Sequence, residues 1–172
     1  KYVSQEKLAE EACKVEIEKL GAPIGKQDQY AAACGGLNLI TFHRNDMVTV
    51  EPIIMSRDTY HVLEDNLVMF YTGITHDANK ILAEQKKSIT QEDKIDNLIQ
   101  MCNLAREMKS SLEKNDTSEF GRILNEGWYL KRQLASGISG QIIDEMYERA
   151  MQNGATGGKL LGAGGGGFLL FY

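Results

Sequence analysis

The sequence predicts an α+β fold. Several long stretches place apolar side chains at helical spacing, and shorter stretches are rich in β-branched or aromatic residues. The helix-like stretches fill the middle of the chain, whereas the strand-like ones precede them and return at the C-terminal end. With 172 residues, the chain is long enough for one well-packed domain or for parts of two small ones.

The first predicted helix runs over residues 4–20, with Ser4 as its cap and with Gly21 and Pro23 as its end. Its apolar positions recur at helical spacing and are Leu8, Ala12, Val15 and Ile17 or Leu20. A second, short helix is predicted over residues 27–34, because alanines favour a helix and Gly35 and Gly36 stop it.

Three strands are predicted next. Residues 37–42 and 47–53 flank the turn-forming stretch HRND and therefore indicate a hairpin. Residues 67–72 are apolar at consecutive positions, which is typical of a strand covered on both faces, so we expect a central strand there. The apolar run 168–172 predicts an interior strand.

Four helices are predicted over residues 76–87, 92–114, 118–135 and 141–152. Two of them carry apolar stripes that we interpret as core. The stripe of 92–114 is Ile95, Leu98, Ile99, Cys102, Ala105 and Leu112, and that of 118–135 is Phe120, Ile123, Leu124, Trp128 and Leu134.

Composition narrows the function classes. The 19 basic and 24 acidic residues give a net charge of −5, which argues against a nucleic-acid partner. No apolar run approaches the roughly 20 residues of a membrane helix, so we expect no membrane partner and a cytoplasmic location. The three cysteines are odd in number and far apart, and we expect buried thiols rather than disulfides or a metal site.

A glycine-rich segment ends the chain. Residues 162–167 satisfy the pattern G-x-G-x-x-G, but we expect the loop to follow a helix and enter a strand, the reverse of a dinucleotide-binding loop. A P-loop is also excluded, because Leu160 follows Gly158 and Lys159 where Ser or Thr is needed. Two interpretations remain, a tight turn before a buried strand and a backbone that closely approaches a ligand or another segment.

Asp28 also has two interpretations. In the first turn of a short helix, a carboxylate is favourable to the helix dipole. Lys26 could instead hold Asp28 ionised, as a general base requires, and small neighbouring residues would let a substrate come near. His43, His61 and His76 lack metal-ligand spacing, and no Ser-His-Asp arrangement is assignable.

The stretches GKQDQYAAACGGLN and GGKLLGAGGGGFLLFY resemble two segments of the GHMP sugar kinases. The bacterial D-glycero-D-manno-heptose 7-phosphate kinases and related anomeric sugar kinases are the most similar group, through FYTGITH at 70–76 and EGWYLKRQLASGIS at 126–139. The resemblance covers essentially the whole chain. It implies an incomplete two-lobe GHMP fold, in which residues 1–57 end an N-terminal lobe and residues 58–172 form a truncated, helix-rich C-terminal lobe with an antiparallel sheet, the active site lying between the lobes.

The resemblance also implies site residues. Asp28 resembles the aspartate that accepts the proton of the attacking hydroxyl, with Lys26 supporting its ionisation. Trp128, Lys131 and Ser139 are weaker candidates for contact with the sugar, and core packing explains Trp128 equally well. The implied substrate ligands are Gln27, Gln29, Thr72 and Gly73, and the implied phosphate or substrate loop comprises Gly162, Gly164, Gly165, Gly166 and Gly167.

The implied activity is ATP-dependent transfer of the γ-phosphate to a hydroxyl, the anomeric one, of a sugar or of a sugar phosphate such as heptose 7-phosphate. ATP and Mg²⁺ are the implied cofactors, with ligands mainly outside this sequence, because the serine- and glycine-rich phosphate loop of the family is absent from it. We therefore expect a piece of a longer protein that is inactive alone. A galactokinase- or fucokinase-like enzyme, a non-catalytic ligand-binding module, a purely structural domain and homo-oligomerisation remain open.

Overall fold

The computed structural model describes residues 3–75, 78–88 and 91–172. The chain divides into two compact units, Lys1–Ile54 and Met55–Tyr172. This division lies close to the boundary predicted after residue 57. The assignment of the two units to the lobes of a kinase stays a prediction.

The first unit begins with helix α1, Gln5–Cys13, which continues into a π-helical turn, Lys14–Lys19. The predicted cap is confirmed, because the Ser4 hydroxyl accepts a hydrogen bond from the backbone N–H of Lys7. Helix α2, Gln27–Cys34, has the predicted bounds and ends at Gly35, whose φ of 63° suits glycine.

Small side chains form the contact between α1 and α2. Ala9 and Cys13 are buried beside Tyr30, whereas Leu8 and Leu20 are 57% and 74% exposed. The predicted stripe of α1 is therefore partly wrong, because Ala9 and Cys13 are buried next to the predicted Leu8 and Ala12, whereas the predicted Ile17 packs against this cluster. The reason is steric, because small residues one turn apart allow two helices to approach closely, and leucines at those positions would hold them apart.

A hairpin completes the first unit, as predicted. Strands β1, Asn38–Phe42, and β2, Val48–Pro52, pair antiparallel, with Asn38 opposite Pro52 and Phe42 opposite Val48. The turn between them places Asp46 at a φ of 64°, a conformation that aspartate tolerates better than most residues.

The second unit contains five helices and three strands in its described residues. In chain order they are α3 (Arg57–Asp65), β3 (Val68–Tyr71), α4 (Ala78–Ser88), α5 (Glu92–Glu113), α6 (Phe120–Arg132), α7 (Gln141–Gln152), β4 (Gly158–Leu160) and β5 (Phe168–Phe171). The predicted start of α4 at His76 lies outside the described residues. The predicted end of α6 at Ala135 is wrong, because the chain turns after Arg132 and Leu134 bonds back to the carbonyl of Lys131 at 3.0 Å.

The three strands form an antiparallel sheet in the order β3-β5-β4. The interior position of β5 is confirmed, since Leu169 and Phe171 are buried. The central position predicted for β3 is wrong. All four of its residues are exposed and it occupies an edge of the sheet, so its continuous apolar character does not reflect burial within this chain.

The core of the second unit packs α6 and α7 against one face of this sheet. Most of the predicted stripe of α6 is buried, with Trp128 only 1% exposed. The stripe predicted for α5 is mostly wrong. Leu112 is buried and Leu98 is partly buried against the core, but Ile95, Ile99 and Cys102 are exposed, because they lie on a different side of the helix.

The thiols are also less buried than predicted. Cys13 is buried, Cys34 is partly buried and Cys102 is exposed, and all three are free. Burial raises the pKa of the Cys13 thiol, which keeps it protonated and unreactive. In the parts of the chain that the structure describes, no helix is both long enough and apolar enough to cross a membrane.

Candidate functional site

Asp28 lies in the first turn of α2 with its side chain exposed. The helix has no side-chain cap, so Asp28 does not serve as one. Among the described residues, its carboxylate makes no hydrogen bond or ion pair. The carboxylate is therefore available to an external group.

A groove of about 510 Å³ lies beside this carboxylate, within the range of small-molecule sites. Helices α1 and α2 form its walls, and alanine side chains keep it wide. Its lining residues are Leu8, Ala12, Glu16, Ile24, Asp28, Gln29, Ala32 and Ala33. The small neighbours that the sequence analysis noted near Asp28 thus leave space beside an acidic group.

Gln29 is buried at the side of this groove, whereas Gln27 is exposed. The Nε2 of Gln29 donates to Oε2 of Glu16 at 3.0 Å, and this bond fixes the orientation of the amide. Its Oε1 is buried and has no partner among the described residues. Sequence reasoning missed Glu16, whose place in the groove depends on the π-helical turn after α1, for which the sequence offered no signal.

Lys26 has an anionic partner on the hairpin turn. Its Nζ lies 3.2 Å from Oδ1 of Asp46, whose side chain is almost fully exposed. An ion pair this open to solvent contributes little to stability. The support of Asp28 ionisation by Lys26 stays a prediction.

In the second unit, the structure brings Thr72 and Gly73 to the glycine loop. The buried Thr72 donates from both its backbone N–H and its Oγ1 to the carbonyl of Gly167, each at 2.9 Å. The same Oγ1 accepts from the N–H of Ile74 at 3.2 Å. Thr72 therefore fixes the end of the loop through its backbone N–H and its hydroxyl.

Two loop glycines stand where a side chain would not fit. A Cβ on Gly164 would lie 2.8 Å from Cα of Ile138, and one on Gly166 would lie 2.4 Å from the carbonyl oxygen of Ile74. The N–H of Gly165 donates to the carbonyl oxygen of Ile138, and the N–H of Gly167 donates to the carbonyl oxygen of Ile74, both at 2.9 Å. Close approach to another segment, one of the two interpretations left open, therefore accounts for these glycines.

The loop enters β5 as predicted, but it does not directly follow a helix. The short strand β4 stands between α7 and the loop, and Leu161 pairs with Phe168 across the loop base at 2.8 Å. A three-residue strand that contains glycine gives too little periodicity to be read from a sequence. The role of the loop in binding phosphate or substrate stays a prediction.

The weaker candidates have structural partners. Trp128 is buried in the core, Lys131 donates to the carbonyl of Gly162, and Ser139 donates to Oδ1 of Asp144 at 2.5 Å. Asp144 also pairs with Arg132 at 2.9 Å. Lys131 thus tethers the exposed start of the glycine loop to α6.

The candidate residues fall into both units. Asp28 and its groove belong to the first, and Thr72, Gly73 and the glycine loop belong to the second. Within the described ranges, no group of three or more metal-ligating side chains lies together. The described residues therefore do not form a magnesium site made of several protein ligands.

The chain is similar to known sugar kinases. It is 33% identical over 165 residues to the D-glycero-alpha-D-manno-heptose 7-phosphate kinase of Campylobacter jejuni, covering 96% of this chain and 49% of that protein. It is 30% identical over 155 residues to the bifunctional fucokinase/GDP-fucose pyrophosphorylase of Arabidopsis thaliana, covering 88% of this chain and 15% of that protein. The chain thus spans about half, or less, of these relatives.

Solved structures of kinases also match this chain. A crystal structure of a D-glycero-D-manno-heptose 1-phosphate kinase from Bacteroides thetaiotaomicron matches 98% of this chain and 44% of its own, with a TM-score of 0.65 and 31% identity. The mevalonate kinase of L. major shares the fold, with a TM-score of 0.71 at 22% identity over 98% of this chain and 49% of its own. Residues 108–171 match the family model described as GHMP kinases C terminal. Residues 108–171 therefore correspond to a GHMP kinase C-terminal domain, and the chain shares the fold of about half of each of these kinase structures.

Proposed function

We propose that this chain is part of an ATP-dependent sugar kinase, in which Asp28 accepts the proton of the hydroxyl that attacks the γ-phosphate. One observation supports this role above the others. The Asp28 carboxylate is exposed on a groove with small side chains and has no partner among the described residues. The helix dipole accounts for an acidic residue in this turn, but it does not account for the groove beside the carboxylate.

Phosphoryl transfer requires little covalent chemistry from the protein, because the transition state of the transfer is loose. The chain would position the acceptor and remove its proton. We assign proton removal to Asp28, acceptor binding to Gln27, Gln29, Thr72 and Gly73, and the shaping of the phosphate and substrate pocket to the glycine loop. That these residues converge in one site is part of the proposal.

For the acceptor, we propose the anomeric hydroxyl of a sugar phosphate of the heptose 7-phosphate type. The similarity to a heptose 7-phosphate kinase over 96% of the chain supports this choice. The relative described as a bifunctional fucokinase/GDP-fucose pyrophosphorylase favours a second candidate, a kinase acting on a free hexose. Both candidates need the same base and the same glycine loop.

We propose that the chain does not turn over substrate alone. The curated relatives are at least about twice as long as the aligned part, and the described residues offer no cluster of metal ligands. No step through Mg²⁺ is assigned to this chain for that reason. ATP would be held mainly by the part of the relatives that this chain does not span.

A substrate panel tests the proposal. The longer polypeptide that carries this chain, and the chain alone, are each incubated with ATP and with heptose 7-phosphate, L-fucose or D-galactose, and ADP release is measured. We expect turnover with the longer polypeptide, fastest with heptose 7-phosphate, and none with the chain alone. Faster turnover of a free hexose would replace the acceptor, and binding of sugars without any ADP release would favour a non-catalytic module.

A further inference from the structure

The two halves of the glycine loop are held in different ways. In the second half, the N–H of Gly165 donates to the carbonyl of Ile138 and the N–H of Gly167 donates to the carbonyl of Ile74, both at 2.9 Å. Gly162, at the start of the loop, is exposed, and a Cβ added there would meet no atom within 4 Å. Contacts with two other segments therefore fix the second half of the loop, whereas packing leaves the first half unsupported.

Lys131 holds this first half. From the last turn of α6, its Nζ donates to the carbonyl oxygen of Gly162. Among the described residues outside the loop, Lys131 is the one whose hydrogen bond reaches Gly162 or Ala163. A hydrogen bond from a charged ammonium group is stronger than one between two neutral groups. The position of the loop start therefore depends on a single side chain.

Helix α6 is a rigid support for this side chain. Trp128, one turn before Lys131, is 1% exposed and belongs to the core of the second unit. Lys131 itself is half-buried, so its aliphatic stem is also confined. A residue carried by a packed helix places its partner more accurately than a residue carried by a loop.

The neighbouring residue, Arg132, is connected to the second half of the loop. It pairs with Asp144 at 2.9 Å, and the other carboxylate oxygen of Asp144 accepts from the hydroxyl of Ser139 at 2.5 Å. Ser139 follows Ile138, whose carbonyl accepts from Gly165. The end of α6 thus contacts the first half of the loop directly and the second half through an ion pair and a short segment.

The first half needs such a contact because of its backbone. Gly162 has a φ of 71° and no side chain to pack, so it can adopt many conformations once the hydrogen bond to its carbonyl is lost. Ordering a free glycine backbone when a ligand binds costs conformational entropy. A loop that is already ordered avoids this cost and keeps the pocket beside it in one shape.

We propose that Lys131 is a positioning residue of the kinase, which acts by fixing the first half of the glycine loop and not by touching the sugar. This inference rests on the proposed function, because it requires that the loop shape the pocket for the phosphate and the substrate. The lysine would then affect the rate of phosphoryl transfer through the carbonyl of Gly162.

Three variants of the longer polypeptide test the proposal. Lys131→Met removes the donor and keeps an unbranched stem, and Lys131→Arg keeps a charged donor. Lys94→Met is the matched control, since Nζ of Lys94 donates to the carbonyl of Gln133 at 2.5 Å, a bond of the same kind to a carbonyl outside the loop. For each protein, kcat and KM are measured with ATP and the sugar acceptor, together with the melting temperature.

The exchange rates of two backbone amides, measured by NMR without substrate, report on the loop itself. The N–H of Leu161 donates to the carbonyl of Phe168 at 2.8 Å beside the first half, and the N–H of Gly167 lies at the far end of the loop. Lys131→Met should speed exchange at Leu161 about tenfold and leave Gly167 unchanged, because the lost bond lies next to Leu161.

We expect Lys131→Met to lower kcat/KM by about tenfold or more, since a misplaced pocket raises the barrier. Lys131→Arg should retain most of the activity, and Lys94→Met should match the wild type in both kcat/KM and amide exchange. The melting temperature of Lys131→Met should stay close to that of Lys94→Met. A general loss of stability would lower this temperature, whereas a positioning role does not.

Several results would overturn the proposal. Unchanged kcat/KM in Lys131→Met is one, and lost activity with unchanged exchange at Leu161 is another, because the lysine would then act on the substrate directly. Equal effects in Lys94→Met would also overturn it. If the wild type releases no ADP with any sugar, the proposed function fails and the catalytic part of this inference fails with it, while the exchange rates still decide whether Lys131 holds the loop.

Discussion

Gly164 and Gly162 lie in the same loop, but the fold requires glycine more strictly at position 164 than at position 162. Both have positive φ, 119° and 71°, which L-residues adopt at a cost. Only Gly164 is also closely packed, with the backbone of Ile138 within 3 Å of where a Cβ would stand, whereas the space beside Gly162 is open. Backbone atoms cannot move aside as a flexible side chain can.

We therefore expect Gly164→Ala to lower the free energy of unfolding by about 3 kcal/mol or more, through backbone strain and overpacking together. Gly162→Ala, the matched control, should cost about 1–2 kcal/mol through strain alone. Urea unfolding of both variants measures the difference. Equal losses in the two variants would mean that the contact with Ile138 does not determine the need for glycine.

Tyr147 is a buried group whose ionisation opposes folding. Its hydroxyl donates to Oδ1 of Asn125 at 2.7 Å and lies 3.2 Å from the carbonyl oxygen of Gly158. Burial raises the pKa of Tyr147 to about 12, from an ordinary value of 10.0. The folded state therefore holds this proton more tightly than the unfolded state, and the stabilisation is present below pH 10 and lost between about pH 10 and 12.

The expected loss in the free energy of unfolding over that interval is about 3 kcal/mol, from two pKa units. Tyr147→Phe should remove this part of the pH dependence, and it should cost about 1 kcal/mol near neutral pH through the lost hydrogen bonds. Tyr129→Phe, at a half-exposed position of α6, should keep the wild-type profile. An unchanged profile in Tyr147→Phe would assign the alkaline loss to other groups.

Helix α5 shows how an apolar stripe can be partly exposed. Leu112 near its C-terminal end is 1% exposed, while Ile99 in its middle is 54% exposed. The two positions lie about 140° apart around the helix, at 3.6 residues per turn, so the predicted stripe was too wide to form a single face. Leu98, on the same side as Leu112, is partly buried against the core. Which side of the helix meets the core is a property of the tertiary structure.

Alanine substitutions on α5 separate the two positions. Leu112→Ala should lower the free energy of unfolding by about 2–5 kcal/mol, because it opens a cavity in packed surroundings. Ile99→Ala should change it by less than about 1 kcal/mol, because the side chain is mostly in water already. Thermal or urea unfolding checks the contrast, and a large loss in Ile99→Ala would indicate that this face is covered in solution.

The elements that could be predicted are those with a strong local signal. The cap at Ser4, the alanine-rich α2 and the hairpin around HRND each depend on neighbouring residues, and each is confirmed. Helix α3, Arg57–Asp65, was missed although Ser56 caps it by accepting from the N–H of Thr59 at 3.1 Å. The helix is short, and only Thr59 and Leu63 of its residues are buried.

The edge position of β3 could not be predicted for a different reason. Its apolar run is typical of a covered strand, yet within this chain the covering elements are absent from the described residues. Leu8 and Leu20 in the first unit are exposed in the same way. Apolar residues of this kind indicate that a surface is suited to burial, but a single chain does not reveal its partner.

At the scale of the whole molecule, the fold and the candidate site have different sources of support. The fold is supported by structural matches that cover nearly the whole of this chain and about half of each matched GHMP kinase structure. The site residues were predicted from short sequence motifs. The structure adds that Asp28 borders a groove and that Thr72 holds the glycine loop. Glu16 could not have been predicted, since its contact with Gln29 joins residues from two helical segments through a π-helical turn.

The central claim is that the Asp28 carboxylate acts as the base of a sugar kinase. The most direct measurement is kcat of the longer polypeptide with ATP and heptose 7-phosphate, for the wild type, for Asp28→Asn and for the exposed control Asp96→Asn. General-base catalysis is worth about 10²- to 10⁴-fold, so Asp28→Asn should lower kcat by that factor with an unchanged melting temperature, and Asp96→Asn should match the wild type. A kcat of Asp28→Asn close to that of the wild type would contradict the account.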